Sequence, residues 1–387
     1  MNQGHPDPSG EPLAKPLTGV EVLVLGGIGP VRFAAMTLAD MGAHVRLVRR
    51  SEPGDTQEDH AHHILDRGTH TLIADLKDPS TVAGLLDDAP GTHVVLEGFR
   101  PGVAERLGLG PADFTARNPR IVYGRMTGWG QDGPLAESAG HDINYIALSG
   151  ALEPITGADG APVPPLNYLG DFGGGAMYLV SGVLAALFDT LRGGDGRIVD
   201  AAIVDGTAAM TAMLHSLRRS RDWSAPRGGN ALDGGNPFYG LYRTADGKWM
   251  AVSALEPQFA AAVLDTLGLP SHEGTGTSPD RWPALRLALD EAFAGATQEE
   301  WTRRFAGVDA CVTPVVAPDD VLRQPHLAAR GTYVRTPAGI EPAPAPRFSV
   351  VAGARSPTAG AGRTEPDSPS TAARAETEPR EDRRPES

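Results

Sequence analysis

Two side chains in this sequence are suited to moving a proton. One is His141, in Gly140-His141-Asp142-Ile143-Asn144-Tyr145; the other is Asp171, in Gly170-Asp171-Phe172-Gly173-Gly174-Gly175. An imidazole and a carboxylate that face one small volume from opposite sides can carry a proton between the two faces of one carbon. The elements that would position them are legible nearby. Asp171 precedes a glycine run that opens a strongly apolar segment, Ala176 to Leu191, interrupted mainly by Ser181 and Asp189. That pattern predicts a helix buried nearly all round, closed by Arg192 and then Gly193-Gly194. Free N–H groups at its start would favour an ionised Asp171, and the triple glycine would let a ligand approach the backbone. His141 starts a second predicted helix, Asp142 to Ser149, which Gly150 can end. Asp142 itself is read as a cap of that helix. A plainer reading stands beside the chemical one: Asp171 is an N-cap and His141 a structural histidine.

Behind these residues the chain alternates strands with helices. Val20 to Leu25 predicts a first strand, followed by Gly26-Gly27-Ile28-Gly29-Pro30, a helix to about Met41, and a second strand, His44 to Val48. This βαβ opening resembles a dinucleotide site, but Arg32 stands where the third glycine of that fingerprint would fall, which argues against one. Thr71 to Leu76 leads to Lys77, Val94 to Glu97 leads to Gly98-Phe99-Arg100-Pro101-Gly102, and Ile121 to Met126 leads to Gly128-Trp129-Gly130. The order predicts an α/β fold, a Rossmann-like parallel sheet with helices on both faces. Ligands of such sheets bind beyond the carboxyl ends of the strands, where Lys77, Arg100 and His141 all fall.

The expected division is a flexible N-terminus over 1–15, a large domain over 16–200, a linker helix and loop over 201–235, a small α+β domain over 236–313, a return linker over 314–352 and a tail over 353–387. A long apolar helix is expected from about Ala201 to Leu217, and the Gly/Asn/Asp-rich Gly228 to Gly235 reads as a linker. Phe238 to Arg243 and Trp249 to Val252 flank Ala245-Asp246-Gly247-Lys248 as a hairpin. From Gly353 to Ser387 there is no Leu, Ile, Val, Phe, Tyr or Trp, so disorder is expected there.

A net charge of −14 argues against general nucleic-acid binding. Cys311 is the single cysteine, which excludes an internal disulfide and a cysteine-based zinc cluster; no metal site is expected. The polar, Pro/Gly-rich start lacks a signal-peptide core, and no stretch reads as long enough to span a membrane. A cytoplasmic protein is expected.

The motifs Gly140 to Tyr145, Gly170 to Gly175 and Val199-Asp200-Ala201-Ala202, in that order, resemble the family III CoA-transferase superfamily, and within it the α-methylacyl-CoA racemase branch. The resemblance spans Pro16 to about Ser349. It implies catalysis by Asp171 and His141 on a 2-methylacyl-CoA thioester, through an enolate, without a cofactor beyond the CoA of the substrate. Glu256, before Pro257-Gln258-Phe259, matches a glutamate that pairs with the histidine in relatives. Arg50, Lys77, Arg100 and Arg106 are implied as ligands of the CoA phosphates, for which the guanidinium fork is suited; each can also be a solvated surface charge. Asn167 and the N–H groups near Asp142 are candidate donors to the enolate oxygen, with Gly170 beside them. The resemblance implies an interlocked homodimer with Glu256 supplied by the partner chain. The chain departs from the pattern at Val31, Arg32 and Phe33, where relatives usually carry smaller residues. Two other readings remain. One is a CoA transferase with Asp171 as nucleophile, and the other is a catalytically silent CoA-binding protein.

Overall fold

The computed structural model describes residues 14–50, 54, 60, 62–157, 160–223, 226–270 and 279–350. The N-terminal stretch to Leu13 and the tail read as disordered lie outside the described residues. Ala14 to Phe348 form one compact unit.

Its centre is a six-stranded sheet in the order β3-β2-β1-β4-β5-β6, with every neighbouring pair parallel. The strands are β1 (Glu21–Val24), β2 (His44–Arg49), β3 (Thr69–Ile73), β4 (Val94–Glu97), β5 (Val122–Thr127) and β6 (Arg197–Ala202). The first five match the expected strands to within a few residues. The sixth carries the Val199 to Ala202 motif but no clear strand pattern, since its first residues are exposed and mixed in character. β1 and β4 are fully or nearly fully buried runs of Val and Leu, as strands covered on both faces must be. The crossovers carry α1 (Gly29–Asp40), α2 (Pro79–Asp87), α3 (Val103–Arg106), α4 (Pro111–Thr115), α5 (Asp142–Leu148) and α6 (Met177–Leu191). One core cluster packs α1 and α6 on one face of the sheet, and a second fills the other face around Phe114, Ile121 and Tyr123.

Three expectations about helices are corrected. First, Asp171 does not precede its helix. Tyr168–Ala176 is a π-helical stretch that runs straight into α6, so Asp171 lies inside the wide turn. Second, α6 is not buried all round. Leu179, Val180, Val183 and Leu187 pack inward, each burial worth ~1.5–3 kcal/mol, while Phe188 is 63% and Leu191 69% exposed. The run Tyr168–Leu191 is also long and apolar enough to cross a membrane by length and composition, against the sequence reading, with half of its most apolar window buried in the fold. Third, the long helix expected from Ala201 is the end of β6 followed by two shorter helices, α7 (Ile203–Met210) and α8 (Ala212–Ser220), that break at Thr211.

A three-stranded antiparallel sheet, β7 (Tyr239–Arg243), β8 (Trp249–Ser253) and β9 (Val312–Pro314), lies further along the chain. Helices α9 (Pro257–Leu267), α10 (Trp282–Ala294) and α11 (Gln298–Arg304) accompany it. They share a separate core around Phe238, Tyr242, Phe293 and Trp301, and β7 and β8 pair as the expected hairpin. The return segment is more structured than read: it holds α12 (Pro325–Arg330) and the hairpin β10 (Tyr333–Thr336) with β11 (Gly339–Pro342).

Candidate active site

The strand order reverses direction between β1 and β4, and a crevice opens at such a switch point. A cleft of about 620 Å³ lies there, lined by Ile28 to Val31 after β1, Gly98 to Pro101 after β4, and Thr127 to Trp129 at the end of β5. Its remaining wall includes His141, Tyr145, Asn167 and Asp171. The structure thus brings together four of the expected site residues: His141, Asp171, Asn167 and Arg100.

His141 is the extended residue before α5, and its backbone N–H donates to Asn144 Oδ1 at 3.0 Å. Tyr145, one turn on, donates its hydroxyl to the Gly140 carbonyl, so α5 holds the Gly140–His141 peptide from below. The Trp129 ring packs edge-on against Tyr145 at 4.8 Å.

Asp171 is held by tertiary contacts on several sides. Phe172 stacks on Phe33 at 4.6 Å between centroids, so the bulk at position 33 braces the Asp171 turn. Gly206 of α7 meets Gly174 so closely that a Cβ there would lie 1.8 Å from the Gly174 carbonyl oxygen; only glycine fits. Burial, then the nearby Asp142 charge, push the Asp171 carboxyl up to about 6, while a hydrogen bond from the Asn167 side chain and the His141 charge act the other way. Asn167, expected to face an enolate oxygen, is thus engaged with Asp171.

Asp142 also departs from expectation. It does not cap its own helix. Its Oδ2 accepts from the Asp171 N–H at 2.7 Å, and the Gly170 N–H also bonds the carboxylate. Gly170 is buried against that carboxylate. Asp142 and Gly170 therefore stand behind the cleft wall.

The other basic residues lie outside the cleft lining. Arg50 follows β2, Lys77 follows β3 in a turn closed by its N–H to Asp75 Oδ1, and Arg106 ends α3; Arg50, Lys77 and Arg106 are all exposed. All three follow strands of the parallel sheet at the carboxyl edge. Glu256 is an exposed residue just before α9 and does not line the cleft of its own chain.

Arg32, which departs from the family pattern, points away from the cleft. Its Nε donates to the Gly27 carbonyl at 3.0 Å and its Nη1 binds both oxygens of Asp66. His62, one helical turn before Asp66, lines the cleft and accepts the Gly29 N–H at 3.2 Å. Sequence reasoning missed His62, because nothing in its surroundings has the period of an element. A buried network was missed as well. Arg125 on β5 donates to Glu97 Oε1 at 2.8 Å and to both oxygens of Glu105, and Glu97 Oε2 accepts the Phe99 N–H at 2.7 Å. Burial pushes the Glu97 carboxyl up, against those two partners.

A parallel sheet with a His–Asp cleft at its switch point defines an α/β protein equipped for acid–base or acyl chemistry without a metal cluster among the described residues. The chain belongs to the CoA-transferase family III, whose model matches residues 17–368. It is 44% identical over 332 residues to the alpha-methylacyl-CoA racemase of Homo sapiens, covering 85% of this chain and 86% of that one. It is 30% identical over 349 residues to the succinyl-CoA–D-citramalate CoA-transferase of Chloroflexus aurantiacus, covering 83% of each. In fold it is similar to a CAIB/BAIF family protein from Brucella suis, with a TM-score of 0.73 at 24% identity over 87% of this chain and 93% of that one.

Proposed function

We propose that this chain is a cofactor-independent isomerase that interconverts 2R- and 2S-2-methylacyl-CoA thioesters. The observation that carries the reading is that His141 and Asp171 line one cleft with the Asp171 carboxyl held at about 6. A group with that affinity can take or give a proton near neutral pH. The α-carbon binds between the two. One group removes the α-proton, the C–H electron pair moves into the thioester carbonyl to give an enolate, and the other group delivers a proton to the opposite face. The N–H groups that open α5 have no partner within the helix and are suited to the enolate oxygen; one such donor is typically worth ~3–4 kcal/mol of barrier. Arg100 in the cleft, with Arg50, Lys77 and Arg106 at the same sheet edge, receives the CoA phosphates.

The active form is a homodimer in a cytoplasmic setting. Phe188, Leu191, Ile198 on the edge strand β6, and Met213 on α8 are all more than 60% exposed, and large apolar side chains left exposed in this number suit a surface that a partner covers. Leu241 and Trp249 on the open face of the small sheet are exposed as well. Glu256 reaches the imidazole of the partner's site, which accounts for its distance from the cleft of its own chain.

Incubation with a 2-methylacyl-CoA in D2O checks the reaction class by NMR. Deuterium at C2 with loss of configuration is expected. Acyl exchange between CoA thioesters and free acids without C2 deuteration would instead assign Asp171 the nucleophile's role of a transferase. Changing His141→Ala should abolish racemisation both ways yet leave exchange with retention for the enantiomer that faces Asp171. Asp171→Ala should show the opposite preference. Equal loss of exchange for both enantiomers in folded, CoA-binding variants would exclude two separate proton carriers.

A further inference from the structure

Asp142 follows His141 in sequence, but its carboxylate lies under the Asp171 turn. Oδ2 accepts the Asp171 N–H at 2.7 Å, the Gly170 N–H bonds the same carboxylate, and Oδ1 is buried without a partner. The fit is tight: a Cβ on Gly170 would stand 2.4 Å from Oδ2. The side chain is 7% exposed as part of its residue, so water screens it weakly. Burial pushes the Asp142 carboxyl up, and the two backbone N–H bonds act against that rise.

We propose that Asp142 is a positioning residue of the active site, whose buried carboxylate fixes the backbone beneath Asp171 and sets a second acidic group directly behind the reacting carboxyl group. This rests on the proton-transfer reading above. The two carboxyl groups then titrate as a pair, with Asp171 raised by burial first and by the Asp142 charge second, and Asp142 itself raised by burial. Other charged groups near the turn are largely engaged elsewhere. Arg32 of α1 is bonded to Asp66, Arg125 of β5 to Glu97 and Glu105, and Asp200 of β6 accepts the Gln131 N–H. α5 adds His141 and Tyr145, α6 adds Tyr178 and α7 adds Asp205, and Arg100 and His62 stand across the cleft. Of these, His141 acts on Asp171 in the opposite sense.

The consequence is an active site with one proton for two carriers. Asp142 adds to burial in raising the Asp171 carboxyl to about 6, so the fraction with the proton on Asp171 near neutral pH is larger than burial alone would give. For racemisation of an isolated stereocentre the two directions have equal free-energy change, so kcat/KM for both enantiomers follows one pH profile. Its acidic limb reports the loss of the first proton from the pair.

The test uses substrate-free protein with carboxyl-labelled aspartates, followed by 13C NMR through a pH titration. The Asp171 signal is assigned by its loss in Asp171→Asn. In Asp142→Asn, which keeps an acceptor for the backbone N–H, the Asp171 midpoint should fall by roughly one pH unit or more. The acidic limb of α-proton exchange should move down with it, while KM for acyl-CoA changes little. If Asp142→Asn does not fold, Asp142→Ser offers a smaller neutral acceptor for the same measurement. An unmoved Asp171 midpoint in a folded variant overturns the proposal. A moved midpoint with an unmoved acidic limb overturns the role in the reaction. Because the titration needs no substrate, a shifted midpoint in a protein that never deuterates C2 would uphold the carboxylate pair and discard the racemase reading.

Discussion

In the proposed reaction, the demand on Asp171 acts against stability at a single residue. Its carboxyl moves from an ordinary value of 3.8 up to about 6, chiefly by burial. The folded state therefore binds this proton more tightly than the unfolded chain does. Its contribution is fully favourable below about pH 4 and is lost as pH rises to about 6; above that, the folded state carries a constant penalty. One pH unit corresponds to ~1.36 kcal/mol, and screening of a partly exposed group brings the net penalty to ~1–2 kcal/mol. Asp171→Asn should accordingly raise the melting temperature by a few degrees at neutral pH while abolishing racemisation. The gain should vanish at about pH 4 and below, where wild type and variant both present a neutral group. Calorimetry across that range checks it. A gain that persisted unchanged into acid would mean that the benefit comes from packing and not from the carboxyl's charge. That His141 and Asp171 face one cleft was legible in sequence, because each lies in a motif at the start of an apolar helix. The side-chain direction of Asp142 was not, because a carboxylate at a helix start reads as a cap until a neighbouring glycine supplies the space that diverts it.

Among the elements, the segment Gly98 to Arg106 depends on a network within the sheet. Glu97 ends β4 fully buried, accepts the Phe99 N–H and is paired with Arg125 across to β5, and Arg125 grips Glu105 of α3 with its other two nitrogens. The same segment carries Arg100 and Arg106. Arg125→Met should cost ~3–5 kcal/mol, because it leaves a buried carboxylate without its cation. It should also raise KM for acyl-CoA more than it lowers kcat, since contacts remote from the α-carbon give mostly uniform binding. Adding Glu97→Gln should recover much of the stability without recovering KM. Loss of kcat alone would show that Arg125 acts on the reacting centre. The strands of this layer were legible because they are short Val/Leu runs between turn residues. The wide turn around Asp171 was not, because its glycines have low helix propensity. Phe33 and α7 hold it helical from outside, and neither contact has a local signal.

For the whole molecule, apolar periodicity cannot distinguish a face that meets its own core from one that meets another chain. That is why α6 read as buried all round while Phe188 and Leu191 are exposed. The proposed dimer turns this surface and the remote Glu256 into one prediction. In an isologous dimer each cleft would combine His141 of one chain with Glu256 of the other. Chains carrying His141→Ala and chains carrying Glu256→Ala should each be nearly inactive alone. Coexpressed, they should form mixed dimers in which one cleft inherits both changes and the other inherits neither. With random pairing half of the dimers are mixed, so about a quarter of wild-type activity should return. Coexpression is required because interlocked chains would not exchange without unfolding. If Glu256 served its own chain, every cleft in the mixed dimer would carry one change and no activity would return. Activity restored to about a quarter, together with a dimeric mass by light scattering and differently tagged chains copurifying, is the expected result. A monomeric mass with full activity in the wild type would remove both the dimer and the shared site, and would leave Glu256 to be explained as a surface residue at the start of α9.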